Sequence, residues 1–185
     1  MLKLIPFLLI VACMVTTEAK AQIQADATTP AYDLKAGGGL VYGTEIENLG
    51  LQINGYYRLP MNDQIFAGAD LTYFLPDTES FSGGESSFRI IALNFNGQYH
   101  FFQDESLGAY GLAGINYAML RSSADYDDAN NQFDYSDTNS EIGLNLGGGV
   151  EYQVDFGMIY GELKFVLSDF DQLVIGAGVR IPIER

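Results

Sequence analysis

Residues 49–59 read Leu-Gly-Leu-Gln-Ile-Asn-Gly-Tyr-Tyr-Arg-Leu. Leu49, Leu51, Ile53, Tyr57 and Leu59 share one phase of a two-residue period, and Gln52, Asn54, Tyr56 and Arg58 share the other. Successive side chains of a strand point to opposite faces, so this stretch is an extended segment with one apolar and one polar face. Its length matters as much as its period. Strands of soluble domains usually run about five or six residues, whereas a tilted strand that crosses a bilayer needs about 9–11.

The same pattern recurs along the chain. Ile65, Ala67, Ala69, Leu71, Tyr73 and Leu75 oppose Gly68, Asp70 and Thr72. Ile91, Leu93, Phe95, Tyr99 and Phe101 oppose Asn94, Asn96, Gln98 and His100. Ile142, Leu144, Leu146, Val150, Tyr152 and Val154 oppose Glu141, Asn145, Glu151 and Gln153. Ile159, Leu163, Phe165 and Leu167 oppose Tyr160, Glu162 and Lys164. Leu173, Ile175, Ala177, Val179, Ile181 and Ile183 oppose Gln172 and Arg180. Two weaker runs complete the set. In residues 32–43, Leu34, Ala36, Leu40 and Tyr42 share a phase interrupted by Gly37-Gly38-Gly39, and residues 107–121 are apolar in both phases. The fourth run is irregular, with Arg89 in its apolar phase and Phe88 and Ile90 in its polar one; a bulge near residues 87–90 would restore the alternation. Eight long runs predict an all-β chain: an eight-stranded antiparallel up-and-down transmembrane β-barrel, closed so that no sheet edge is left.

Connections alternate in length. Residues 60–63, 103–105 and 155–157 are tight; residues 76–86 and 122–140 are long and polar, and 44–48 and 169–171 are short members of the same set. Short turns on one side and longer loops on the other are the habit of outer-membrane barrels. A soluble exported barrel would alternate too, with its apolar phase inward. The polar phase argues against that. It is rich in Gly, Asn and Gln, with sparse charges of both signs at Arg58, Asp70, Glu151, Glu162, Lys164 and Arg180, whereas a solvated face carries more Lys and Glu. The aromatics Tyr57, Tyr99, Phe101 and Tyr152 sit beside the tight turns, and Tyr42, Tyr73 and Tyr117 near the opposite ends, as two interfacial belts require.

The 185 residues carry 9 Lys+Arg against 24 Asp+Glu, a net charge of −15. That disfavours nucleic acid, which needs a basic face. One cysteine excludes an intramolecular disulfide and a Cys-built metal site, and one histidine excludes a His-rich zinc site. Residues 1–21 read as a signal peptide: Lys3, an apolar core over 4–12, and Ala19-Lys20-Ala21 at the cleavage positions. Ile10-Val11-Ala12-Cys13 also looks like a lipobox, with Cys13 as its lipidation site, but Ala19-Lys20-Ala21 favours ordinary cleavage. Loss of Lys3, Lys20 and Glu18 with the leader takes the counts from 9 and 24 to 7 and 23, a net charge of −16. Residues 22–31 form a lead-in, and 32–185 the barrel domain.

The barrel segment resembles the small OmpA/OmpX-type outer-membrane barrels, the porin-like outer-membrane β-barrel family. The resemblance is carried by the strand pattern and by the phrases Leu112-Ala113-Gly114-Ile115-Asn116-Tyr117, Gly147-Gly148-Gly149-Val150-Glu151-Tyr152 and Gly176-Ala177-Gly178-Val179-Arg180. Gly178-Val179-Arg180-Ile181-Pro182-Ile183 resembles the C-terminal signal such barrels present to the insertion machinery, although the chain ends at Arg185 without an aromatic residue. The resemblance implies a monomer in a Gram-negative outer membrane, in contact with lipid and lipopolysaccharide, assembled by that machinery.

Site chemistry is sparse. His100 invites an acid–base reading, but it stands beside the tight turn at 103–105, away from the outer leaflet, and a structural role is expected. Asp125, Asp127, Asp128, Asp134 and Asp137 could offer oxygen ligands to Ca²⁺ or Mg²⁺, yet the stretch lacks the glycine and distal glutamate of a formed calcium loop, so a solvated acidic loop is expected. No cofactor, metal site or enzymatic activity is expected. The expected task is envelope integrity or surface interaction, including adhesion, with an extracellular ligand reached through loops 76–86 and 122–140. The alternatives are a narrow porin for small solutes and a secreted lipocalin-like barrel that binds an apolar ligand.

Overall fold

The computed structural model describes residues 33–81, 84–128, 131–169 and 171–183, without the side chains of 77–81, 84–85, 124–128 and 131–135. The proposed leader 1–21, its Cys13 and the lead-in 22–31 lie outside the described residues. Eight strands follow one another: β1 Leu34–Gly43, β2 Asn48–Arg58, β3 Ile65–Phe81, β4 Gly84–Gln103, β5 Leu107–Asp128, β6 Asn131–Val154, β7 Gly157–Leu167 and β8 Gln172–Ile183. Each pairs antiparallel with the next, and β1 pairs with β8 from Leu34↔Ile183 to Gly43↔Val174, which closes the sheet into a barrel. Around that ring, strand N–H and C=O groups find partners without water, the condition for crossing hydrocarbon.

The two phases go where the charge pattern requires. Leu51, Ile53, Phe95, Leu144 and Leu163 point outward, each more than half exposed. Gln52, Asn54, Asp70, Asn94, Asn96, Asn145 and Lys164 are buried inside. A soluble barrel has the opposite polarity: Leu51, Leu93 and Leu144 would converge on a central cavity, and here they form the outer wall. An apolar exterior this continuous is far beyond the patches a water-borne protein exposes.

Two features of the strands differ from the sequence reading. The long connections 76–86 and 122–140 are mostly strand: β3 pairs with β4 as far as Phe81↔Gly84, and β5 with β6 as far as Asp128↔Asn131. They are hairpin arms that rise beyond the wall, because β2 pairs with β3 only as far as Phe74 and β6 pairs with β7 only from Leu144. Such an arm stands beyond the lumen and the lipid whose contrast sets the two phases, so its residues need not alternate, and period two cannot reveal it. The irregularity in run four is also resolved differently. No bulge lies in β4 near residues 87–90; the extra residue is in β3, where Leu75 and Pro76 together face Arg89, between the pairs Phe74↔Ile90 and Asp77↔Phe88. Pro76 has no N–H to donate, which suits it to a bulge. Ile90 keeps its inward position and packs with Val41, Phe74, Val166 and Val174 as an apolar cluster at the outer end of the lumen. A second register shift in β4, between His100 and Phe102, turns both Phe101 and Phe102 outward.

Candidate functional site

The inside of the barrel holds the chain's concentration of chemistry. Charges there have left water, so each needs a partner inside the wall. Lys35 on β1, wholly buried, donates to both carboxylate oxygens of Glu151 on β6 at 2.7 and 2.8 Å. Its Nζ also lies 4.5 Å from the centroid of the Phe66 ring, a cation–π distance. Arg180 on β8, also wholly buried, donates to Asn54 Oδ1 at 3.0 Å, to the Tyr110 hydroxyl at 3.1 Å and to Glu162 at 3.3 Å. It forms a further ion pair with Glu151, and its guanidinium stacks 3.8 Å from the centroid of Tyr160. Tyr110 donates to Glu162 at 2.8 Å.

One layer farther out, Asp70 on β3 is the hub. Its carboxylate accepts from Asn94 at 2.7 Å, Asn96 at 2.8 Å, Gln52 at 3.1 Å and Thr72 at 3.3 Å, and it pairs with Lys164 of β7 at 3.3 Å. Asn145 of β6 donates to Asn94 at 2.9 Å and to Asn96 at 2.8 Å. Lys35, Lys164 and Arg180 thus stand against Asp70, Glu151 and Glu162, three charges of each sign. Arg58 lies at the tight-turn end, paired with Asp33 at 2.9 Å.

The six charged residues singled out from the sequence are therefore all buried in the lumen, five of them in one mid-barrel network with Lys35. Lys35 escaped the sequence reading because the glycines after it blur the phase of β1; its place opposite Leu34 and Ala36 was the available signal. Tyr110 was missed because its run is apolar in both phases, while Tyr56 and Tyr160 were read in the polar phase but not as site residues; each is buried to about 1% exposure. Their bulk is matched by glycines. A Cβ on Gly149 would stand 2.5 Å from the Tyr110 hydroxyl and 2.6 Å from the Gly161 carbonyl, and one on Gly68 would stand 2.5 Å from the Tyr56 ring. Gly149→Ala is accordingly expected to cost about 1–3 kcal/mol through displacement of Tyr110. Gly111→Ala, whose Cβ would meet nothing within 4 Å, should stay within about 0.5 kcal/mol of the parent. Urea unfolding of both in the same vesicles checks the contrast.

The aromatics lie outward as two groups. Tyr57, Tyr99, Phe101 and Tyr152 stand near the tight turns, and Tyr42, Tyr73 and Tyr117 near the far ends, all exposed or half-buried. His100 is enclosed: its Nε2 is 3.5 Å from Lys35 Nζ, and its ring stacks on Tyr110 at 5.1 Å and against Phe66 at 4.8 Å. Of the acidic residues, Asp137 is exposed, while the side chains of Asp125, Asp127, Asp128 and Asp134 lie outside the described set.

Comparison with known proteins agrees with this architecture. No curated protein sequence matches the chain. Among solved structures, the N-terminal β-barrel domain of Pseudomonas aeruginosa OprF is similar at 12% identity and a TM-score of 0.53, over 82% of this chain and 98% of that one. Neisserial surface protein A is similar at 14% identity and a TM-score of 0.51, over 83% and 97%. Yersinia pestis Ail, in complex with the heparin analogue sucrose octasulfate, is similar at 14% identity and a TM-score of 0.51, over 80% and 96%. These likenesses show the fold. Residues 6–180 match the family model of the outer membrane protein beta-barrel domain; with eight strands closed around a polar lumen and an apolar wall turned outward, the chain belongs to that family and is an outer-membrane protein.

Proposed function

We propose that the protein is a structural, non-enzymatic component of the outer membrane that holds two β-hairpin arms, β3–β4 and β5–β6, at the cell surface. One observation carries this reading. All eight strands send a side chain into one hydrogen-bonded lumen network: Lys35, Asn54, Asp70, Asn94, Tyr110, Glu151, Glu162 and Arg180. Side chains can fill the interior of an eight-stranded barrel, and this network occupies its middle, below the apolar cluster of Val41, Phe74, Ile90, Val166 and Val174. A wall braced in this way serves as an anchor and leaves a solute no continuous path. His100, held between two rings beside Lys35, is a packing residue in this reading. The arms carry Asp77, Glu79 and Glu85 in one hairpin and Asp125, Asp127, Asp128, Asp134 and Asp137 in the other. They suit a cationic partner, in contrast to the heparin analogue bound by Ail. Export through the 1–21 leader and assembly by the insertion machinery through β8 belong to the same proposal.

The test is electrical. Purified protein in planar bilayers is expected to show no stable single-channel steps. Uniform, long-lived steps would replace this reading with the narrow porin.

A further inference from the structure

The outer wall carries one polar feature that the lumen does not explain. Among the described residues, Lys35, Arg58, Lys164 and Arg180 are buried inside, and Arg89 and Arg121 are the cations exposed on the barrel. These two are direct cross-strand partners, Arg89 on β4 and Arg121 on β5. Like charges opposed on neighbouring strands disfavour pairing unless an anion lies between them. No ion pair within the described residues joins either one to a carboxylate.

Their height on the barrel indicates which anion. The outward rungs of β4 and β5 run Phe95↔Ile115, Leu93↔Tyr117, Ile91↔Met119, then Arg89↔Arg121 and Ser87↔Ser123. The greasy stripe ends at the arginines, one outward rung beyond Met119, a step of roughly 7 Å along the strand. Tyr73, on the rung of Ile91, and Tyr117 belong to the far aromatic group. Ser87, Arg89, Arg121 and Ser123 line one shallow cleft there. Across from Arg121 and Ser123, β6 adds the exposed Thr138 and Ser136. Two guanidiniums flanked by hydroxyls, just above hydrocarbon, offer charge-assisted donors to a phosphate, and the planar fork of arginine matches its oxygens. Asp137, exposed on β6, stands at the height of the cleft opposite Ser122, in the other phase from Arg121 and Ser123.

We propose that Arg89 and Arg121, with Ser87 and Ser123, form a binding site for the phosphate of a phosphorylated saccharide lipid in the outer leaflet. The site rests on the outer-membrane reading but not on a sealed lumen, since the cleft lies on the wall. The test uses the full chain folded in an uncharged detergent, with folding checked by heat-modifiable gel mobility. Native mass spectrometry compares binding of bisphosphorylated lipid A, dephosphorylated lipid A and inorganic phosphate. The phosphorylated lipid is expected to bind at least about tenfold more tightly than the other two. Arg89→Gln with Arg121→Gln should erase that preference, and Arg89→Lys with Arg121→Lys should keep part of it. Equal binding of both lipids by the parent, or an unchanged preference in the Gln pair, overturns the site. Inorganic phosphate bound as tightly as the lipid overturns the lipid assignment. Conductance recorded on the parent protein separates failure here from failure of the anchor reading.

Discussion

Arg180→Met is expected to lower the unfolding free energy by about 3–5 kcal/mol, the scale for breaking a buried ion pair from one side. Methionine replaces part of the volume but none of the donors. Asn54 and Tyr110 each lose a hydrogen bond, and Glu151 and Glu162 lose an ion-pair partner. Glu151 keeps Lys35 and Glu162 keeps the Tyr110 hydroxyl, so both remain bonded, but the balanced set of three cations and three anions is left with a net charge of −1. The face of Tyr160 also loses the guanidinium stacked 3.8 Å above it. Urea unfolding in phospholipid vesicles reads the loss, with the heat-modifiable form as the folded signal. A second variant guards against simple failure to assemble. Combining Glu162→Gln with Arg180→Met removes the surplus charge and should recover about 0.5–3 kcal/mol, the usual range of coupling between contacting residues. If Arg180→Met unfolds within about 1 kcal/mol of the parent, the network does not brace the wall, and the anchor reading loses its physical basis.

How much of this was legible in the sequence depends on where each residue's environment differs between its two faces. In β2, β3 and β7 one face meets hydrocarbon and the other a polar lumen, so Gln52, Asp70, Glu162 and Lys164 announced their side by phase alone. Membership of the lumen was therefore readable. Partnership within it was not. Lys35 and Glu151 are 116 positions apart, and Asn54 and Arg180 are 126 apart. They meet only because pairing of β1 with β8 closes the ring, which puts β8 two strands from β2 and β6 three strands from β1, and the stagger of a closed barrel is a property of all its strands. The apolar cluster at the outer end ran against the pattern for a similar reason. Phe74 and Ile90 are inward residues in a polar phase, and only the cluster assembled from five strands gives them apolar neighbours. The Arg89–Arg121 pair was hidden by the same irregularity: Arg89 looked misplaced until β5 set Arg121 beside it.

Leu71→Arg tests the outward wall in the same currency, with an expected cost of about 1–3 kcal/mol for a cation between mid-bilayer and the far interface. Leu71 is exposed on the outer face, opposite Ile53 of β2 and Leu93 of β4. Its rung lies between Tyr99, near the tight turns, and Tyr73, near the far end. Those two levels are separated by about 27 Å measured along the strand, which a tilt of about 40° brings close to the thickness of an outer-membrane apolar band. Leu71 stands six residues from the Tyr99 level and two from Tyr73, so an arginine there starts inside the apolar band and must stretch a full rung of roughly 7 Å to reach the far interface, whereas one at Leu75, beside the bulge and beyond Tyr73, is already there. Leu75→Arg should therefore cost only about 0–1 kcal/mol. The depth dependence is the informative part, because a substitution that merely disturbed strand packing would not follow membrane depth. The same pair in detergent micelles, where the apolar layer deforms freely, should differ less. A cost that is equal at the two positions in vesicles would mean that β3 does not cross hydrocarbon between its aromatic ends, and the wall would have to be placed at another depth.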